Sequence, residues 1–193
     1  RGTGRGPAGS VCVEGAGGGT GCRGTRSGRT GGNCETPAGS LSNTGRRMIG
    51  GSGTVGYSGD WGSLSGRYSE RGERLEIHED PAEEPDFDGA QRIRSQRAEL
   101  GGEIALGMSR LTVHLGYEQN RRREFESADD EMTDAVATGL LSRSLTADVH
   151  LHHALTAEIG GVVGVQGERI GFTKFGAETL IPDNTTVSGG IYG

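Results

Sequence analysis

This chain is short of the residues that build a thick interior. Apolar residues make up 31% of its 193 positions and aromatics 5%, while 38 positions are glycine. Mean hydropathy is −0.52. Such a composition makes a close-packed core hard to assemble. No run of 18 apolar residues exists, which excludes a membrane-spanning helix. Excess positive charge is missing too: the net charge is −6 and the pI near 5.4, so nothing electrostatic points to nucleic acid as a partner. The first residue is Arg1, and no charged-then-apolar leader follows it. The chain is expected to be a piece of a longer protein.

Cysteine is scarce and confined to one stretch. Cys12, Cys22 and Cys34 have spacings of nine and eleven residues, which match no zinc or redox pattern, and an odd count makes a poor disulfide framework. Residues 1–34 hold 13 Gly and five Arg against one acid, Glu14, and no Leu, Ile, Phe, Tyr, Trp or Met. Residues 35–193 carry 15 basic and 25 acidic residues. The first segment cannot bury enough apolar surface to offset its ordering entropy and is expected to be disordered. Its Gly, Arg, Ala, Thr and Ser bias is also that of GC-rich coding DNA read in a shifted frame.

After Glu35 the pattern becomes one of strands. Leu145, Ala147, Val149 and Leu151 alternate with Thr146, Asp148, His150 and His152. Alternation of this kind gives one oily and one charged face. Seven strands are expected, over 48–58, 61–77, 94–107, 110–125, 139–151, 155–170 and 185–192. Two-residue loops are expected at Gly59-Asp60, setting Val55 opposite Leu64, and at Met108-Ser109, setting Leu106 opposite Leu111. A three-residue loop, 152–154, sets Leu151 opposite Leu155. The connections between these hairpins are long and polar: 77–93, 126–138 and 171–184.

Strand length decides between two all-β architectures. Strands of soluble sheets usually run about five or six residues, whereas a bilayer takes roughly 9–11 residues of tilted strand. Several strands here exceed ten. Short turns at one end and long loops at the other are the habit of outer-membrane barrels. An antiparallel up-and-down transmembrane β-barrel, present in part, is the expected fold. Val113, Ile159 and Val163 are expected to face lipid, and Glu103, His114 and Glu158 a wet lumen.

Residues 35–193 resemble the barrel of TonB-dependent outer-membrane receptors of the metal- and siderophore-uptake type. The stretches that carry the resemblance are "TPAGSLSNTGRR" leading into "GGSGTVGYSGDWGSLSGRYSERGERLEI", then "QRAELGGEIALGMSRLTVHLGYEQNRRREFE", and "EIGGVVGVQGERIGF" followed by "LIPDNTTVSGGIYG". The resemblance covers barrel only. It includes no TonB box, no plug domain and no terminal strand with a final aromatic residue, and receptors of this type close with 22 strands. It implies a transporter of the Gram-negative outer membrane that performs no catalysis and needs no cofactor. Its implied partners are a TonB-type energy-transducing complex, outer-membrane lipid and lipopolysaccharide, and a metal or metal-chelate ligand.

His78, Glu79 and Asp80 open an acidic loop that continues through Glu83, Glu84, Asp86 and Asp88. Imidazole and carboxylates suit a borderline or hard cation, and the resemblance places such a loop outside the cell. A solvated loop that binds nothing explains the same residues. His150, His152 and His153 are expected to be turn histidines in water, since no carboxylate is evident near them. The arginines at 121–123 end a strand, where they could meet lipopolysaccharide phosphates or only solvent. Two G-x-G-x-x-G matches, 4–9 and 51–56, follow no parallel strand and open no helix, so they carry no phosphate argument. No Ser/His/Asp or Cys/His spacing argues for a nucleophile. The competing class is a soluble or surface-attached all-β domain that holds cations through the acidic loop.

A shifted frame has a direct consequence. Another frame of the DNA for residues 1–34 is expected to encode alternating strands or plug sequence. Sequencing several isolates checks this, and an unbroken frame through Glu35 in all of them contradicts it.

Overall fold

A computed structural model describes residues 19–37, 39–79, 87–154, 156, 158–178 and 182–193. The described chain is all-β apart from one short helix. Its strands are β1 (Gly19–Gly31), β2 (Cys34–Thr36), β3 (Gly39–Leu41), β4 (Arg46–Gly59), β5 (Gly62–Glu76), β6 (Ala90–Leu106) and β7 (Ser109–Phe125). Helix α1 (Ala128–Thr133) follows, then β8 (Thr138–Ala154), β9 (Gly160–Phe175) and β10 (Asn184–Tyr192). Eight strands form one antiparallel sheet in the order β1-β4-β5-β6-β7-β8-β9-β10, and β2 and β3 make a small separate hairpin.

Each of the seven expected strands is present, and β1 is an eighth. Disorder through residue 34 therefore does not hold for Gly19–Gly31, which pair with Ser58–Arg46 of β4 along their whole length. Ladder hydrogen bonds use only backbone groups, so a segment without large apolar side chains can still extend a sheet edge. Residues 1–18, Cys12 among them, lie outside the described residues. The sheet is open, as a barrel present only in part would leave it: among the described residues no ladder joins β1 to β10, and no barrel is formed.

The sheet has two unlike ends. Asp60-Trp61, Gly107-Met108 and residues 155–159 connect strands at one end. Residues 32–45, 77–89, 126–137 and 176–183 connect them at the other. The hairpin registers differ from expectation while preserving every face. Tyr57, not Val55, stands opposite Leu64. Leu106 pairs with Ser109, and Leu111 with Ile104. Leu151 pairs with Val163, because β8 runs on through His152, His153 and Ala154. In the second hairpin Gly107 has φ +65°, the positive angle that the first position of a type II′ loop requires. In the first, the glycine that matters is Gly62, with φ +138°. A Cβ there would stand 1.9 Å from the Glu103 carbonyl oxygen.

These slips move each pairing by an even number of residues, and side chains alternate with a period of two. Glu158 and Ile159 are a different case. They fall in the β8–β9 connection rather than on the sheet, and their backbone N–H groups donate to Thr156 Oγ1 at 3.2 and 3.1 Å.

Almost nothing apolar is buried. Among the described residues the buried hydrophobic side chains are Ala90 and Phe125, both at the long-loop end of the sheet. One phenylalanine and one alanine are far short of a core. Burying a large apolar side chain contributes about 1.5–3 kcal/mol, while fixing the backbone of each residue costs about 1–2 kcal/mol.

Gly62→Ala is expected to destabilise the folded chain by about 1–3 kcal/mol through strain and the clash with Glu103. Gly21→Ala, where a Cβ meets nothing within 4 Å, is expected to change stability by less than about 1 kcal/mol. Urea midpoints of the two variants check the difference.

Candidate functional site

Following the ladders across the sheet assigns every strand residue to one of two faces. On one face the rows nearest the short turns are apolar. Ile104, Leu111, Leu151 and Val163 make one row. Tyr57, Leu64, Gly102, Val113, Val149, Val165 and Ile191 make the next. Val55, Gly66, Leu100, Leu115, Ala147 and Gly167 follow, then Tyr68, Ala98, Tyr117 and Leu145. Below the tyrosine row no Asp, Glu, Lys or Arg lies on this face among the described strand residues. The side chains are open to their surroundings: Leu100 is 47% exposed, Leu145 55% and Val165 52%.

Aromatic groups mark both margins of this belt. Tyr57 stacks on Trp61 at the short-turn end, ring centroids 6.0 Å apart. At the upper margin Tyr117 Oη donates to Gln119 at 3.2 Å, and Gln96 Nε2 donates to Tyr68 Oη at 3.0 Å. Tyrosine and tryptophan favour a boundary where one end of the ring is apolar and the other wet. From Ala98 to Leu106 the belt is about nine residues of strand, close to the roughly 9–11 that cross a hydrocarbon layer when tilted.

The opposite face is polar at the same height. A groove of about 740 Å³ is lined by residues of every strand from β4 to β10, including Thr54, Arg67, Glu99, His114, Asp148 and Ser188. Arg97 pairs with Glu99 at 2.8 Å, and Arg110 with Glu103 at 3.4 Å. Glu103 and His114 thus take the polar face as expected, while Val113 and Val163 take the apolar one.

The histidines are more organised than the sequence suggested. His150 and His152 share the polar face with ring centroids 5.1 Å apart, and His114 lies 6.3 Å from His150. His153 is on the other face. A carboxylate is close after all: His150 Nδ1 stands 2.8 Å from Asp148 Oδ1. Tyr192 Oη donates to Asp148 Oδ2 at 3.0 Å, reaching across Gly164, where a Cβ would stand 2.4 Å from the tyrosine ring. The i, i+2 spacing of Asp148 and His150 carried the first contact in the sequence. Nothing there announced Tyr192.

His78 and Glu79 follow β5 at the long-loop end. His78 Nδ1 is 2.9 Å from the Ser42 carbonyl oxygen, an acceptor only, so Nδ1 carries the proton and Nε2 is the lone-pair nitrogen of the neutral ring. Asp80, Glu83, Glu84 and Asp86 lie outside the described residues. Among those described, no group of three or more His, Cys, Asp or Glu side chains is arranged to hold a metal ion.

At the same end α1 is tied down by a carboxylate. Ser127 caps the helix, its Oγ accepting from the Asp130 N–H at 3.1 Å. Glu131 then reaches back to the sheet. Arg74 Nη2 and Arg92 Nε each donate to it at 2.7 Å. The Arg74 hydrogen bond, with Arg92 adding to it, holds the Glu131 carboxyl below the usual carboxylate range against the opposing effect of burial.

No protein-family model matches this chain, and no curated protein matches it.

Glu131 gains its partners on folding, so its lowered pKa makes a stabilising contribution that is complete above the unfolded value. That contribution is lost as pH falls through the folded one. Protection of the amides of 128–133, corrected for intrinsic exchange, is expected to persist from neutral pH down to the ordinary carboxylate range and to fail below it. Glu131→Gln is expected to lose that protection at every pH, at a cost of about 1–3 kcal/mol. Hydrogen exchange read by mass spectrometry checks both outcomes.

Proposed function

We propose that this chain is part of the wall of an outer-membrane β-barrel, a receptor of the TonB-dependent type that admits a scarce metal or metal chelate. The apolar belt faces lipid and the polar face lines a water-filled interior. No bond of the ligand is made or broken. Further strands close the barrel beyond β1 and β10, since an open sheet edge leaves unpaired N–H and C=O groups that hydrocarbon does not tolerate. An inner-membrane complex supplies the energy through parts of the receptor other than this sheet.

The belt carries the reading. An exposed, aromatic-bounded apolar surface about nine residues tall, free of charge below its tyrosine row, has the dimensions of a hydrocarbon layer. It sits on a sheet whose other face is charged at the same height. Short turns at one end and long connections at the other add to it. The preference for a metal ligand rests on the resemblance and on the His78, Glu79 and Asp80 loop. That loop contributes to a site completed by other loops.

Neighbouring residues on β7 separate the two faces sharply. In the completed barrel in a bilayer, Val113→Arg is expected to cost roughly 2–4 kcal/mol and Thr112→Arg little. With the native cysteines replaced by serine, single cysteines at 103 and 112 should react with a water-soluble maleimide while those at 113 and 163 are shielded by lipid. Reaction at 113 and 163 with protection at 103 and 112 reverses the assignment. A chain that is monomeric and folds cooperatively in plain buffer removes the membrane reading altogether.

A further inference from the structure

Toward the short turns the polar face ends in imidazoles. His150 and His152 flank Leu151 of the last belt row and lie on the opposite side of the sheet. Their ring centroids are 5.1 Å apart and the ring planes meet at 75°. Two imidazoles bound to one ion through nitrogens at about 2.0–2.1 Å, at a tetrahedral angle, have centroids about 5 Å apart. The pair therefore already has the spacing of two ligands on one metal ion.

Asp148 orients one of them. Its Oδ1 is 2.8 Å from His150 Nδ1, and its Oδ2 accepts from Tyr192 Oη at 3.0 Å. The carboxylate only accepts, so His150 Nδ1 carries the proton and Nε2 keeps the lone pair of the neutral ring. A carboxylate behind the far nitrogen is the arrangement that holds metal-ligating histidines in place and raises their basicity. Arg110 stands opposite His152. Glu103 pairs with it at 3.4 Å, which offsets its repulsion of a bound cation. His114 stays outside the pair. Its centroid is 6.3 Å from that of His150, and it leans over Gly101 of β6, where a Cβ would stand 3.4 Å from its Nδ1. The arrangement thus offers two protein nitrogens, in keeping with the lack of any group of three among the described residues.

Building on the proposed reading of this face as the wall of a water-filled interior, we infer that His150 and His152 form a transfer site for a hydrated divalent transition-metal ion, zinc or copper(II), at the inner mouth of the barrel. The cargo at this point is then an ion and not an intact chelate. Imidazole suits zinc and copper, whereas calcium and magnesium demand oxygen ligands. Two nitrogens, with water in the other positions, hold an ion less firmly than the three or four protein ligands of resident zinc sites. Passage requires that weakness: binding must be strong enough to draw the ion in and weak enough to release it. The short-turn end suits discharge, because the long loops of such barrels lie outside.

The test uses the completed barrel in detergent, free of any polyhistidine tag, with zinc chloride titrated calorimetrically and copper(II) read by electron paramagnetic resonance. A zinc-binding step is expected that His150→Ala with His152→Ala abolishes, together with nitrogen couplings from two imidazoles in the copper spectrum. Asp148→Asn should weaken that step by roughly 10–100-fold. His153→Ala, on the other face, should leave it unchanged, and calcium should not compete. Circular dichroism must match across the variants. In cells, the double variant of the complete receptor should lower the maximal rate of zinc uptake and leave half-saturation unchanged, since capture lies at the other end. A zinc step that survives the double variant, one indifferent to Asp148→Asn, or uptake at the full rate overturns the transfer site. The membrane reading then still stands, because the maleimide pattern on β7 is independent of metal. A cysteine at 112 that does not react with maleimide overturns the wet face and the transfer site with it.

Discussion

A single β-sheet presents two faces, and here they demand different surroundings. Valine, leucine and tyrosine occupy one face at the height where the other carries Arg97, Glu99, Glu103 and Asp148. In a soluble domain the apolar face would meet a second sheet or a layer of helices, as two-layer packing requires. No such layer exists among the described residues, where α1 has six residues and the second sheet is a hairpin of two three-residue strands. The apolar area must then be satisfied by something outside the sheet, and the belt's height and aromatic margins match hydrocarbon.

The rest of the architecture follows from that division. Backbone hydrogen bonds, rather than packing, hold the strands together, so glycine is tolerated where a core would reject it, and even the side-chain-poor β1 joins the sheet. Long strands extend past the belt at one end only, and the connections there are held by polar contacts. Asn43 donates to the carbonyls of Ile77 and Gly89, and Asp88 accepts from the Ala128 N–H. Glu131 fastens α1 over Arg74 and Arg92 in the same region. Charged contacts therefore gather at the end the proposal places in water, and the buried Phe125 and Ala90 lie beneath them.

What the sequence disclosed was the faces. Alternation placed Val113 and Val163 on one side and Glu103 and His114 on the other, and a misplaced turn could not disturb this while each slip was even. Turn chemistry was legible but misread. Gly107, not Ser109, belongs in its loop because a positive φ is needed there. At the first hairpin the demanding residue is Gly62, whose constraint comes from the neighbouring strand β6 and leaves no local signature. β1 was missed because apolar burial was taken as the condition for order, when backbone pairing to β4 is enough. The Tyr192–Asp148 contact depends on register across three strands, which no local pattern reports.

Trp61 is the sole tryptophan of the chain, and it sits against Tyr57 at the short-turn margin of the belt. Its fluorescence is the most direct test of whether that face meets lipid. With the barrel completed by its closing strands, any tryptophans of those strands replaced by phenylalanine, and reconstituted in vesicles containing lipids brominated along their acyl chains, strong quenching is expected, greatest for bromines near the headgroup and weaker toward the bilayer centre. Weak quenching by acrylamide in the surrounding water should accompany it. No quenching by any brominated lipid, with full access to acrylamide, would contradict a membrane-facing belt.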